Sequence, residues 1–249
     1  MLQACLNGGL SRAVHPNVPV SAEELAHDAI AVRMAGADEL HIHPRDEDGK
    51  ETLEAFYVDR ALSAIRATVP EMPIGVGTGV WIKPGGRERH RLIEEWIVLP
   101  NYCSVNLNED DAVEVIDLLT GKGVGVEAGL WTALDSERFV SEVDPNKCLR
   151  VLIEMTSDDP AAALREAART MEILAKAKCA LPILLHGERG SVWACVAEAA
   201  RLDLSTRVGF EDGRSLPDGS VAQDNASLVR AARQYFTASR SRGMLDWGS

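Results

Sequence analysis

Two histidines one residue apart, His41 and His43, sit in the segment Glu39-Leu-His-Ile-His-Pro-Arg-Asp46. Side chains alternate between the two faces of a β-strand, so residues two apart project together. Two imidazoles on one side of a strand end make half of a zinc site, because neutral imidazole is a preferred ligand of that ion. The same rings, paired with carboxylates or backbone, would be structural. A catalytic zinc takes a third protein ligand and keeps one position open. Glu211, in Arg207-Val-Gly-Phe-Glu-Asp212, ends another apolar run and is the candidate. Read alone, it is equally a capping or solvated acid.

Further polar residues stand at or near the ends of apolar runs: Asn7, Thr78, Ser104, Asn106, Glu127, Glu154 and His186. Arg45 projects on the same side as His41 and His43 if the strand continues that far. Polar groups gathered inside a protein are costly unless they bind something. Asn7, Arg45, Ser104 and Asn106 are therefore expected to contact a substrate. The glycine-rich stretch Trp81-Ile-Lys83-Pro-Gly-Gly-Arg87-Glu-Arg89 offers cations to an anionic group, Lys83 foremost, while Arg89 reads as a solvated helix start.

The elements that must position these residues alternate regularly. Short apolar runs cover Leu2–Leu6, Glu39–His43, Ile74–Thr78, Cys103–Leu107, Val124–Ala128, Leu149–Glu154, Pro182–Leu185 and Thr206–Phe210. Several are apolar throughout, as parallel strands buried on both faces are. Helical patterns lie between them. Ser21-Ala-Glu-Glu24 is a capping box, Asp159-Pro160 is a cap followed by proline at the first helical position, and Ala112, Val115, Ile116 and Leu119 form an apolar stripe. Strands and helices alternating over 249 residues predict one α/β domain, a (β/α)8 TIM barrel spanning residues 1–249. An open doubly wound sheet is the alternative, and the usual dinucleotide-binding glycine pattern is missing after the first strand. In a barrel the active site lies at the C-terminal ends of the strands, where the reactive residues above are found.

A net charge of −12 disfavours nucleic acid as a partner. No apolar run approaches the ~20 residues of a membrane helix, and the first residues lack signal-peptide character, so a cytoplasmic protein is expected. The five cysteines, Cys5, Cys103, Cys148, Cys179 and Cys195, have no disulfide or metal spacing and read as small buried residues.

The motifs taken together resemble the β-keto acid cleavage enzyme family. The likeness rests on His41-Ile-His-Pro-Arg-Asp46 with Asp48-Gly49, on Arg207-Val-Gly-Phe-Glu-Asp212, on Leu216-Pro-Asp-Gly219 and on Asn225. Asn7-Gly-Gly and His15-Pro-Asn-Val-Pro19 extend it to the N-terminus. The resemblance implies a barrel that binds zinc through His41, His43 and Glu211. It implies condensation of a β-keto acid with acetyl-CoA to give acetoacetate and a new CoA thioester. Arg207 and Asp212 would then activate the nucleophile, Glu127 would match the glutamate after the fifth strand, and Thr78 the hydroxyl residue after the third. Lys83 would meet the phosphates of CoA. Family members commonly form homotetramers. The chain departs from the pattern in lacking the acid soon after Asn7-Gly8 and in carrying Phe210, Gly213 and Arg214 around Glu-Asp. A zinc-dependent aldolase, another metal-dependent C–C lyase or hydrolase, and a non-catalytic metal- or metabolite-binding barrel remain open readings of the residues.

Overall fold

The computed structural model describes residues 1–82 and 86–243. Lys83 lies outside the described residues. Eight strands close into a barrel: β1 (Leu2–Cys5), β2 (Glu39–Ile42), β3 (Ile74–Gly77), β4 (Tyr102–Asn106), β5 (Gly125–Leu130), β6 (Arg150–Met155), β7 (Ile183–Gly187) and β8 (Ser205–Val208). Neighbours pair in parallel and in chain order, and β8 returns to β1. The predicted (β/α)8 architecture is therefore the one found.

The helices are α1 (Ala22–Ala35), α2 (Ala55–Thr68), α3 (Gly86–Glu94), α4 (Ala112–Gly121), α5 (Ala133–Glu142), α6 (Pro160–Lys176), α7 (Val192–Arg201) and α8 (Asn225–Gly243). Their ends follow the expected chemistry. Ser21 and Glu24 make the reciprocal capping bonds of α1, and Gly36 ends that helix at a φ of 105°. The Asp159 carboxylate caps α6 ahead of Pro160. Ala112, Val115, Ile116 and Leu119 face the sheet from α4.

Barrel interiors are usually layers of branched apolar side chains. This one is plugged at its N-terminal end by charge. Arg150, the first residue of β6, donates to Glu127 (Nε–Oε1 2.6 Å) and also pairs with Glu39 at the start of β2. Gln3 donates to the same Glu127 oxygen (2.8 Å) and to the Tyr102 hydroxyl (2.9 Å), which donates to the Leu40 carbonyl (2.6 Å). The Arg150 guanidinium lies 5.0 Å from the centre of the Tyr102 ring. Gly75 leaves the space that this ring fills.

The plug corrects one expectation. Strand β5 runs on to Leu130, so Glu127 lies in its first half and not at its end. The carboxylate is fully buried and belongs to the ion pair with Arg150, at the end of the barrel remote from His41 and His43.

Removing one member of a buried ion pair strands the other charge. The variant Arg150→Met is expected to lose roughly 3–5 kcal/mol of stability in urea unfolding. Its metal content should match that of the unmodified protein. Near-normal stability together with lost metal would contradict this placement of Glu127.

A candidate metal centre at the barrel mouth

His41 stands within β2 and His43 just past its end, and both are buried. Strand β8 stops at Val208, and a turn closed by the Asp212 N–H on the Gly209 carbonyl (3.1 Å) carries Glu211 over the mouth. Asn225 pins that turn. Its Oδ1 accepts from the Phe210 N–H (2.6 Å), while its Nδ2 donates to the Leu6 carbonyl (2.8 Å).

Three donor atoms converge there. His41 Nε2 and His43 Nε2 are 3.1 Å apart, and Glu211 Oε1 lies 3.5 Å from His43 Nε2 and 3.8 Å from His41 Nε2. Ligands about 2.1 Å from a tetrahedral ion stand roughly 3.4 Å from one another. The spacing thus fits one small ion bound by all three. The other Glu211 oxygen is buried with no hydrogen-bond partner among the described residues. A buried unpaired carboxylate oxygen calls for an ion or a water. Glycines let the backbone close on this cluster. A methyl at Gly77 would overlap the His43 ring, and one at Gly8, where φ is 48°, would overlap the Glu211 side chain.

The charges agree with the geometry. Burial pushes His41 down to about 3, so it is a neutral imidazole with a lone pair to give. Burial opposes the charged form of His43 too, but Glu211 and Glu51 outweigh it and raise that ring to about 9. His43 Nδ1 bonds Glu51 Oε1 at 2.5 Å, the outer-shell carboxylate that orients many metal-bound histidines.

Arg207, on β8, is 2% exposed and holds the two acids of the turn. It donates to Asp212 Oδ1 (2.7 Å) and to Glu211 Oε1 (3.0 Å). Burial disfavours the Asp212 carboxylate, but Arg207 and His186 outweigh it and bring the group to about 2. Cys5 donates its thiol to the other Asp212 oxygen (2.9 Å), and burial beside that acid raises the thiol far above its ordinary value. His186 is fully buried with Nδ1 3.5 Å from Asp212 and Nε2 3.4 Å from Glu154.

A cavity of about 400 Å³ opens over these residues, and Ser104 and Asn106 line it as expected. Three other expected contacts are spent elsewhere. Asn7 donates to the His43 carbonyl (2.9 Å) and accepts from the His43 N–H (2.9 Å), which fixes the backbone of that histidine. Arg45 turns away from the cavity and donates to the carbonyls of Gly8 and Leu10, holding the loop after β1. The Thr78 hydroxyl donates to the Ser104 carbonyl (2.6 Å) and ties β3 to β4. Arg89, expected in solvent, is fully buried against Glu109 and Asp111. Glu109 in turn accepts from Asn106 Nδ2 (3.0 Å) and the Val80 N–H (3.0 Å), so this pair shapes the cavity wall.

Glu51, Trp81 and Glu188 were not anticipated. The first had a readable cue. Asp48-Gly49 is a hairpin signal, and the hairpin returns Glu51 to pair with Arg45 beside His43.

The family model described as beta-keto acid cleavage enzyme matches residues 1–172 and 148–242. Two curated relatives, each named 3-keto-5-aminohexanoate cleavage enzyme, come from Fusobacterium nucleatum subsp. nucleatum and Acetoanaerobium sticklandii. They are 35% and 34% identical to this chain over 65 residues, which is 26% of this chain and 24% of each relative. The match thus spans about a quarter of each relative's length. Among solved structures, ObcA bound to oxaloacetate superposes with a TM-score of 0.70 at 17% identity, covering 92% of this chain and 67% of that one. ObcA with a C4-CoA adduct and oxalate gives 0.68 at 17%, covering 92% and 65%. At that identity the likeness is one of fold. The matched family model runs from β1 into α8 and takes in both histidines of the cluster and the Arg207–Asp212 turn, so the chain belongs to the β-keto acid cleavage enzyme family.

Proposed function

We propose that this chain is a zinc-dependent β-keto acid cleavage enzyme, with acetyl-CoA as co-substrate and acetoacetate and a new acyl-CoA as products. The observation that carries the reading is the convergence of His41, His43 and Glu211 at the barrel mouth, with Arg207 and Asp212 directly behind. The complexes of ObcA with oxaloacetate and with a C4-CoA adduct and oxalate support it, as do the two relatives named 3-keto-5-aminohexanoate cleavage enzyme. Zinc suits two imidazoles and a carboxylate, and it would supply a positive charge that polarises the oxygens of a β-keto acid.

In the overall exchange, the carbon between the keto and carboxyl groups forms a bond to the acetyl carbon, and the CoA thiolate leaves. The thiolate then adds to the original keto carbon, the old carbon–carbon bond breaks, and the carbon released in acetoacetate takes back the proton removed at the start. The first step needs a proton removed from that central carbon. Asp212 faces the cavity and is ionised, so it is the residue assigned to take it. A carboxylate held near 2 by Arg207 is a weak base. An arriving substrate carboxylate that shares Arg207 loosens this hold and raises the basicity of Asp212 where it is needed. Ser104 and Asn106 line the same cavity and are assigned to substrate positioning.

Three outcomes are expected. The zinc-loaded protein, assayed against a panel of β-keto acids with acetyl-CoA, forms acetoacetate, and chelation abolishes the activity. Turnover of no panel member would refute the reading, and turnover independent of CoA would favour an aldolase. Asp212→Asn lowers kcat by ~10²–10⁴-fold, the usual reach of a general base, with metal content unchanged. Gly77→Ala, whose methyl displaces the His43 ring, gives a folded protein by circular dichroism with less than one metal per chain by elemental analysis.

A further inference from the structure

Asn225 joins the two sides of the metal cluster, and one of its bonds leads out of the barrel. The residue is fully buried and every polar hydrogen of its carboxamide is used. Oδ1 accepts from Phe210, next to Glu211 in the turn. One Nδ2 hydrogen goes to the Leu6 carbonyl, and the Leu6 N–H in turn donates to the His41 carbonyl (3.0 Å). Backbone on the Glu211 side and on the His41 side thus depends on one side chain. The second Nδ2 hydrogen goes to Asp28 Oδ2 on α1 (2.6 Å). Asp28 lies at the edge of the buried stripe of that helix, which includes Leu25, Ala29 and Val32. It borders an outer cleft of about 510 Å³, together with His27, Glu23, Glu24 and Asp224, and not the mouth cavity. Asp28 therefore touches neither an ion at the cluster nor a molecule in the mouth.

A carboxylate is an unfavourable choice at this position. Burial raises Asp28 to about 6, and the bond from Asn225 is the main influence against that rise. Asp224 adds to the rise, and the exposed His27 eases it. The one hydrogen bond of Asp28 among the described residues comes from Asn225. An apolar side chain would pack there more favourably if only the helix mattered. What the carboxylate supplies is direction. It can only accept, as can the Leu6 carbonyl, so the two oblige the carboxamide to aim Nδ2 at both and Oδ1 at Phe210. Rotated by half a turn, the amide would meet the Phe210 N–H with its own N–H and face two acceptors with its oxygen. Without Asp28 one buried N–H is left unpaired, and the grip of the amide on the turn weakens. We propose that Asp28 is a positioning residue of the metal centre: it holds the Asn225 carboxamide in the orientation that keeps the Glu211 turn in place, and so sets how tightly the ion is bound. The inference rests on the reading of His41, His43 and Glu211 as ligands.

Two substitutions test this. Asp28→Leu removes the acceptor at similar volume, and Asp28→Asn can still present an oxygen to Asn225. Zinc affinity is measured by competition with a chromophoric chelator at about pH 8, where Asp28 is ionised. Asp28→Leu should bind zinc about tenfold more weakly than the unmodified protein, and Asp28→Asn within about threefold of it. In the metal-free proteins, hydrogen exchange read by mass spectrometry should be about tenfold faster across the Arg207–Asp212 turn of Asp28→Leu, and unchanged in β4 to β6. Asp28→Ala takes the place of the leucine variant if that one does not fold. Unaltered zinc affinity or unaltered turn exchange in the folded variant overturns the proposal. Loosening spread evenly over the barrel, as loss of a purely structural residue would cause, overturns it too, as does an equal loss in Asp28→Asn. An unmodified protein that binds no zinc refutes the ligand reading itself, and the exchange comparison in metal-free protein then decides whether Asp28 holds the turn.

Discussion

The mouth of this barrel depends on one buried cation. Arg207 brings Glu211 and Asp212, adjacent in sequence, into the same recess and balances both. Without that guanidinium two carboxylates would share a dry space, and at least one would take up a proton. Protonated, Glu211 would be a poor metal ligand and Asp212 could accept nothing. Arg207 itself is desolvated, which is tolerable because its two acids and the neighbouring dipoles replace the water it has lost.

The same principle organises the other end of the barrel, with the opposite purpose. Arg150 holds Glu39 and one oxygen of Glu127 in ion pairs that close that end as a plug. Above it the polar groups are left partly unsatisfied: a Glu211 oxygen, both His186 nitrogens and the open face of Glu154. Unmet hydrogen-bonding capacity is not confined to the mouth, since one oxygen each of Gln3 and Glu127 in the plug also lacks a partner among the described residues; what sets the mouth apart is that its unmet groups border an open cavity.

Much of this was legible in the residues. Alternation of apolar runs with capped helices predicted the closed barrel, and His41-Ile42-His43 at a strand end predicted a two-imidazole face. What could not be read was direction. Asn7, Arg45 and Thr78 stand at the mouth in the chain, but each side chain is turned to a backbone carbonyl, a choice made by tertiary packing that strand periodicity does not encode. Glu127 was misplaced by strand length: two more residues on β5 move a terminal carboxylate into the interior. Arg89 looked solvated because its partners, Glu109 and Asp111, arrive from a later loop.

Trp81 carries a further implication. Its indole N–H donates to Glu51 Oε1 (3.3 Å), the same oxygen that bonds His43. The placement of Trp81 and the orientation of the His43 ring are therefore coupled through a single carboxylate atom. Anything that holds Trp81 against Glu51 would steady His43, and an ion that fixed His43 would favour that position of Trp81 by the same factor. A molecule packed against Trp81 and an ion at His43 would thus favour each other's binding through that one oxygen.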